Sequence, residues 1–236
     1  MNSTMRKKLI GLLLLCCVME TRAAVTLPKI FTSNMVLQRE KEIKVWGWAD
    51  KGETITVSFN GQSVKTKADK NGNWILTLKP MMHGGPFQMK ISGKKNAIDL
   101  ANILIGDVYI CSGQSNMEWV INNTNHAEKE IAESKYPQIR LLTVTKATAY
   151  QPQKDIEVGQ WLECNPQTVG DFSAVAYFFG RKLNKDLNIP IGLINTSWGG
   201  TPAEAWTNPE VIEGDELLKA SAAKLSPVPW CPVEPG

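Results

Sequence analysis

Ile103-Leu-Ile-Gly-Asp-Val-Tyr-Ile-Cys111, continuing as Ser112-Gly-Gln-Ser-Asn-Met-Glu118, is the stretch whose reading decides the fold. The first nine residues form a near-continuous apolar run with Asp107 as the one charge, the pattern of a strand buried on both faces. The run turns at Gly113 and delivers Gln114 and Ser115 to the start of a predicted helix. A hydroxyl at such a turn stands at the carboxyl end of a buried strand, where open α/β sheets place their sites. The first N–H groups of the following helix suit an anionic oxygen. A plainer reading competes: Ser115 with Glu118 three residues on has capping-box spacing, which would only begin a helix. Spacing alone favours the cap, and the two readings are compatible.

Downstream, Ile139-Arg-Leu-Leu-Thr-Val144 and Pro190-Ile-Gly-Leu-Ile-Asn195 read as two further buried strands. Between them, Ala174 to Asn188 carries Val175, Phe178, Phe179, Leu183 and Leu187 at helical spacing, with Arg181, Lys182 and Lys185 turned outward. Strands alternating with helices predict a parallel α/β sheet over residues 101–236. Upstream, residues 24–100 read as all-β. Ile43–Trp48, Thr54–Phe59 and Trp74–Leu78 are short strands separated by turn signals at Asn60-Gly61, Asn71-Gly72 and His83-Gly84-Gly85-Pro86. That pattern predicts a small immunoglobulin-like β-sandwich serving as scaffold. Trp46, Trp48 and Trp74 suit its core better than a sugar-stacking surface. The end, Ser226 to Gly236, has too many prolines for a helix or a central strand.

Residues 1–23 have the order of a cleavable secretory leader: Arg6, Lys7 and Lys8, an apolar run from Leu9 to Met19, then Ala23-Ala24. No other stretch is long and apolar enough to cross a bilayer. The leader holds four of the 26 basic residues and one of the 23 acidic ones, leaving 22 of each. The expected mature chain is therefore near neutral, secreted or periplasmic, and a poor fit to nucleic acid. It keeps Cys111, Cys164 and Cys231, an odd number. Cys111, within an apolar run, reads as a small buried thiol, which leaves Cys164 and Cys231 as the pair available for a bridge.

Gly113-Gln114-Ser115-Asn116-Met117 after an apolar strand resembles the first block of the sialate O-acetylesterase and acetylxylan-esterase-like branch of the SGNH hydrolases. Ile191-Gly-Leu-Ile-Asn-Thr-Ser-Trp-Gly-Gly-Thr-Pro-Ala-Glu-Ala-Trp206 is similar to that family's second block. Two separated motifs in the right order are far more specific than either alone. The resemblance implies the N-terminal part of a three-layer α/β/α, flavodoxin-like SGNH domain preceded by the β-sandwich. It implies a carbohydrate O-acetylesterase working through an acetyl-Ser115 intermediate on an acetylated sugar or glycan, with no metal and no organic cofactor. Ser115 would be the nucleophile, and its own N–H one oxyanion donor. Gly199 is the first choice for the second donor and Gly200 the alternative, since the backbone must come close to the oxyanion there. Gln114 and Asn116 would brace the site. Trp198, Glu204 and Trp206 would line or support it.

A serine hydroxyl needs a base to take its proton. In the resembled family a histidine from an Asp-x-His-Pro block supplies one, and a Gln-Gly-Glu block followed by Asn completes the oxyanion site; neither motif occurs in these 236 residues. The two histidines are His83, in a turn of the β unit, and His126, about 16 Å from Ser115 if the stretch between them is helical. The expectation is thus a chain carrying the nucleophile without the acid–base half, a C-terminally truncated enzyme. Two other readings stay open: a non-catalytic carbohydrate-binding remnant using the β unit's tryptophans, and a phosphate-binding α/β module. The second is disfavoured because no Gly-x-Gly-x-x-Gly and no P-loop is present. Sialate and xylan are not distinguished as acetyl carriers.

Overall fold

The computed structural model of the chain describes residues 24–149 and 153–225. The expected leader, and the proline-rich end with Cys231, lie outside the described residues. Seven strands come first: β1 (Val36–Gln38), β2 (Ile43–Trp48), β3 (Thr54–Phe59), β4 (Gln62–Lys67), β5 (Asn73–Leu78), β6 (Gly84–Ser92) and β7 (Ala97–Gly113). A one-turn helix α1 (Ser115–Glu118), a 3-10 turn at Ile121–Asn123 and α2 (Ala127–Glu133) lead to β8 (Tyr136–Thr143) and β9 (Leu162–Cys164). Then follow α3 (Ala174–Leu187), β10 (Ile191–Ser197), a 3-10 turn at Ala203–Trp206, α4 (Pro209–Gly214) and α5 (Glu216–Leu225).

In the β-rich part, alternation does what it predicts. β2 and β5 pair antiparallel, while β4, β3, β6 and the first half of β7 form a second antiparallel layer. Val45, Trp74, Leu76 and Leu78 from the first layer share a core with Ile55, Val57, Phe59, Met89 and Ile91 from the second. Asn60 and Gly61 both have positive φ, 43° and 76°, as the two-residue hairpin between β3 and β4 requires. Trp74 is buried at 3% exposure, whereas Trp46 stays 38% exposed with its ring edge-on to Phe31. The turn expected at His83–Pro86 is not one. Gly84–Pro86 open β6 and run beside β7 through a register shift, because the glycine pair lets that segment bulge without leaving the sheet.

β7 is the spine of the molecule. It pairs antiparallel with β6, and at Leu104 to Gly106 it also pairs parallel with β1. From Asp107 to Gly113 it pairs parallel with β10. The division expected at residues 100/101 therefore falls inside one continuous strand. Burial on both faces holds for Ile103–Gly106 but not beyond, and Ile110 is 72% exposed. The reason is coverage: Ile103 and Ile105 lie in the core shared by the two antiparallel layers, whereas Ile110 lies on a face left open among the described residues. The three expected parallel strands are present, in the order β7-β10-β8, with β9 antiparallel at the outer edge of β8.

α3 begins at a Ser173 cap that accepts from Ala176 N–H and ends at Asn188 in the left-handed conformation. Its buried face is Ala174, Ala176, Tyr177 and Gly180, whereas Val175, Phe178, Phe179 and Leu187 remain substantially exposed. This corrects the large-residue face that spacing suggests. A Cβ on Gly180 would lie 2.6 Å from Leu193 Cδ1, so close approach to β10 selects small residues. Across the junction with the β-rich part, Arg140 of β8 is 2% exposed. Its guanidinium donates to the carbonyls of Pro137, Asn34 and Asn102 and to Asn102 Oδ1, and pairs with Glu163 at 3.3 Å.

Candidate active site

Parallel pairing of β7 with β10 carries the two sequence motifs to one place. Gly113 and Ser197, the last residues of the two strands, are register partners, and Trp198 N–H donates to Gly113 carbonyl at 3.0 Å. The first motif leaves β7 into α1, and the second leaves β10 into the Trp198–Thr201 turn. A Cβ added to Gly199 would stand 3.4 Å from Ser115 Cα and 3.5 Å from its Cβ. It would also lie 2.7 Å from Glu118 Oε2. With Ser115 such a Cβ would make ordinary contact; its clash would be with the Glu118 carboxylate, so glycine at 199 leaves room for that carboxylate beside the turn. Gly200 has φ +78°, a left-handed turn position, with nothing within 4 Å of where its Cβ would be.

Ser115 is exposed, and its hydroxyl has no hydrogen-bond partner among the described residues. Its N–H is likewise unpaired there, because α1 starts at Ser115 with Gln114 as N-cap and no side-chain cap bond. The capping box does not form. Glu118, which that reading aims back at the helix start, instead accepts the N–H of Gly199 across the site and pairs with Lys146 from the segment after β8. The Lys146 hydrogen bond, then the Gly199 N–H, holds this carboxyl below the ordinary carboxylate range. α1 is a single turn, so the amides available to an anion are local ones and no long helix dipole stands behind them.

Gln114 and Asn116 are exposed and make no side-chain hydrogen bonds among the described residues. Trp198 is half-buried, its carbonyl accepts Thr201 Oγ1 at 2.7 Å, and Lys146 Nζ lies 5.8 Å from its ring centroid. Trp206 is 43% exposed and donates from Nε1 to Thr201 Oγ1 at 2.8 Å, which ties the 3-10 turn back to the β10 turn. Glu204 belongs to that 3-10 turn, and its side chain lies outside the described residues. Beneath the site, Ser197 Oγ donates to Asn195 Oδ1 at 2.8 Å, and both are buried. Ser173 Oγ donates to Met117 carbonyl and fixes α1 on the cap of α3.

His83 precedes β6 and is exposed. His126, also exposed, stands at the start of α2 with φ 61°. The chain between Ser115 and His126 is not one helix but α1, a 3-10 turn and a break. Neither histidine has a hydrogen bond to Ser115 among the described residues. No group of three or more metal-ligating side chains occurs there either. Lys146 is the site residue that sequence reading missed, because nothing local links it to a glutamate 28 positions earlier.

Residues 105–226 match the family model described as carbohydrate esterase, sialic acid-specific acetylesterase. The chain is 34% identical over 220 residues to a sialate O-acetylesterase of Homo sapiens, covering 84% of this chain and 40% of that protein. A sialate O-acetylesterase of Rattus norvegicus is 33% identical over 199 residues, covering 76% and 36% respectively. The solved structure of a carbohydrate acetylesterase from Xanthomonas citri aligns with a TM-score of 0.77 at 34% identity, over 80% of this chain and 44% of that one. The chain thus spans about 40% of the length of the curated relatives it matches. With the family match running from within β7 through both motif-bearing turns, the chain belongs to the carbohydrate esterase family of sialic acid-specific acetylesterases.

Proposed function

We propose that this chain carries the nucleophile side of a serine carbohydrate O-acetylesterase. The observation that supports this most is the contact of the Gly199 turn with Ser115, produced by pairing Ser197 with Gly113. In the reaction, Ser115 Oγ attacks the carbonyl carbon of a sugar-borne acetyl ester. Ser115 N–H and an N–H of the Gly199-Gly200 turn take up the charge that develops on the carbonyl oxygen; loss of one such donor slows acyl transfer on the order of a hundredfold. The bond to the sugar oxygen breaks, the sugar leaves as an alcohol with a proton, and water then cleaves acetyl-Ser115 to acetate.

The base that takes the serine proton is assigned to a histidine with an acidic partner outside these 236 residues. That fits a chain spanning 40% of its human relative, and an exposed Ser115 hydroxyl with no partner among the described residues. The architecture fits the beginning of a three-layer SGNH domain with the β-rich part as scaffold. Export through a cleavable leader at 1–23 belongs to the same proposal. The relatives' names make O-acetylated sialic acid the first substrate to try, with acetylated xylan beside it.

The test is trapping with an aryl fluorophosphonate at alkaline pH, where hydroxide stands in for the base assigned outside these residues, followed by peptide mass analysis. Label on the Ser115 peptide, absent in Ser115→Ala, is the expected result. Sugar binding that survives Ser115→Ala, with no label on Ser115 even under prolonged exposure, would favour a carbohydrate-binding module instead.

A further inference from the structure

Three separate segments converge on one carboxylate. Glu118 stands one helical turn beyond Ser115 on α1, accepts the ammonium of Lys146 from the segment after β8, and accepts the N–H of Gly199 from the turn after β10. We propose that Glu118, held by Lys146, is a positioning residue. It fixes the Gly199-Gly200 turn against Ser115 and keeps the Gly199 N–H for itself, so that the oxyanion is received by the N–H groups of Ser115 and Gly200. This rests on the reading of Ser115 as the nucleophile.

The geometry argues for it in three steps. A double-glycine turn has a free backbone and needs tethers to hold one conformation. Among the described residues its tethers are Trp198 N–H on Gly113, Thr201 Oγ1 on Trp198, Trp206 Nε1 on Thr201, and Gly199 N–H on Glu118. Only the last fixes the turn directly to the helix that carries Ser115. Next, an N–H committed to a carboxylate is not free for a second anion. The neighbouring Gly200 N–H has no acceptor among the described residues, and the space beside its Cα is open. Finally, a bare carboxylate beside a developing oxyanion would oppose it, and the Lys146 ammonium cancels that charge.

The charged and titratable groups on the elements packed around α1 leave Lys146 as the partner of Glu118. On β7, Cys111 is kept protonated by burial. On α3, Tyr177 and Arg181 are committed to Glu130. Because the carboxyl of Glu118 is held below its usual range, the clamp is complete at and above the ordinary carboxylate pKa. It is lost as pH falls through the lowered one.

The experiment uses the whole chain labelled with ¹⁵N-glycine. The Gly199 amide proton is expected downfield at neutral pH, and Glu118→Gln should move it upfield without any acid. On titration it should follow one midpoint below the ordinary carboxylate range, which Lys146→Met raises. After phosphonylation of Ser115, whose P–O mimics the oxyanion, the Gly200 amide should move while Gly199 stays. Phosphonylation should slow by about tenfold to a hundredfold in Glu118→Ala and largely recover in Glu118→Gln, with melting temperatures as the check on folding. A Gly199 amide indifferent to Glu118→Gln overturns the clamp. A Gly199 amide that leaves Glu118 for the phosphonyl oxygen overturns the assignment of Gly200. Labelling of Glu118→Ala at the unmodified rate overturns the positioning role. Complete failure of the unmodified protein to label even at alkaline pH, where hydroxide stands in for the base assigned outside these residues, removes the serine-esterase reading and the positioning role with it, while the amide titration decides the clamp independently.

Discussion

Replacing Arg140 by methionine tests what locks the β-rich part to the parallel strands. Methionine keeps much of the apolar stem and removes the guanidinium. That leaves the carbonyls of Asn34, Asn102 and Pro137 and the amide oxygen of Asn102 without their donor, at a position 2% exposed. Each stranded buried acceptor costs about 1–3 kcal/mol, and losses within one network do not add in full. With four acceptors stranded and incomplete additivity among them, the expected loss is about 3–5 kcal/mol. Glu163 behaves differently. Its side chain is 40% exposed, and a glutamine there still accepts Asn102 Nδ2, so Glu163→Gln should cost less than about 1 kcal/mol. In urea unfolding with a slope of about 2 kcal/mol/M, the midpoint should fall by roughly 1.5–2.5 M for Arg140→Met and by less than about 0.5 M for Glu163→Gln. Equal shifts in the two variants would refute the reasoning, since they would mean that the ion pair, not the carbonyl bonds, carries the stability. So would an Arg140→Met midpoint within about 0.5 M of the unmodified protein, which would mean that water reaches those carbonyls.

Gly106→Ala should destabilise the chain by about 3 kcal/mol, because the new Cβ would stand 2.6 Å from the carbonyl carbon of Pro190, closer still to its oxygen, and backbone cannot yield as a side chain does. A thermal or urea midpoint unchanged by this substitution would show that the start of β10 is not fixed against β7. Cys111 and Cys164 should resist iodoacetamide in the native protein at about pH 8, since burial raises both thiols, Cys164 to about 12, and only the thiolate reacts. Peptide mapping should find both modified once denaturant is added, and early modification of Cys164 would contradict its place in the core.

Much of the architecture was legible from local order. Alternating apolar residues marked β2, β3 and β5 to within a residue, and Asn60-Gly61 announced its hairpin, because strand faces and turn dihedrals are set by a few adjacent residues. β4 was not visible, since Gln62-Ser-Val-Lys-Thr-Lys67 has little apolar alternation and owes its form to an extended partner, β3. At the site, the two motifs named Ser115 and the Gly199-Gly200 turn, but not their contact. That contact depends on β10 choosing β7 as a neighbour and on a register that sets Ser197 against Gly113 across 84 positions of chain. The buried face of α3 was misjudged for a similar reason: how close a helix approaches a strand decides whether bulk or smallness is buried. Spacing gave Glu118 the role of a cap, yet its carboxylate faces Gly199 and Lys146, partners that no local pattern could supply. The sequence by itself determined which segments extend, turn and carry chemistry, because those follow from neighbours along the chain. The tertiary structure decided which of them touch, because that depends on register and packing between residues far apart in it.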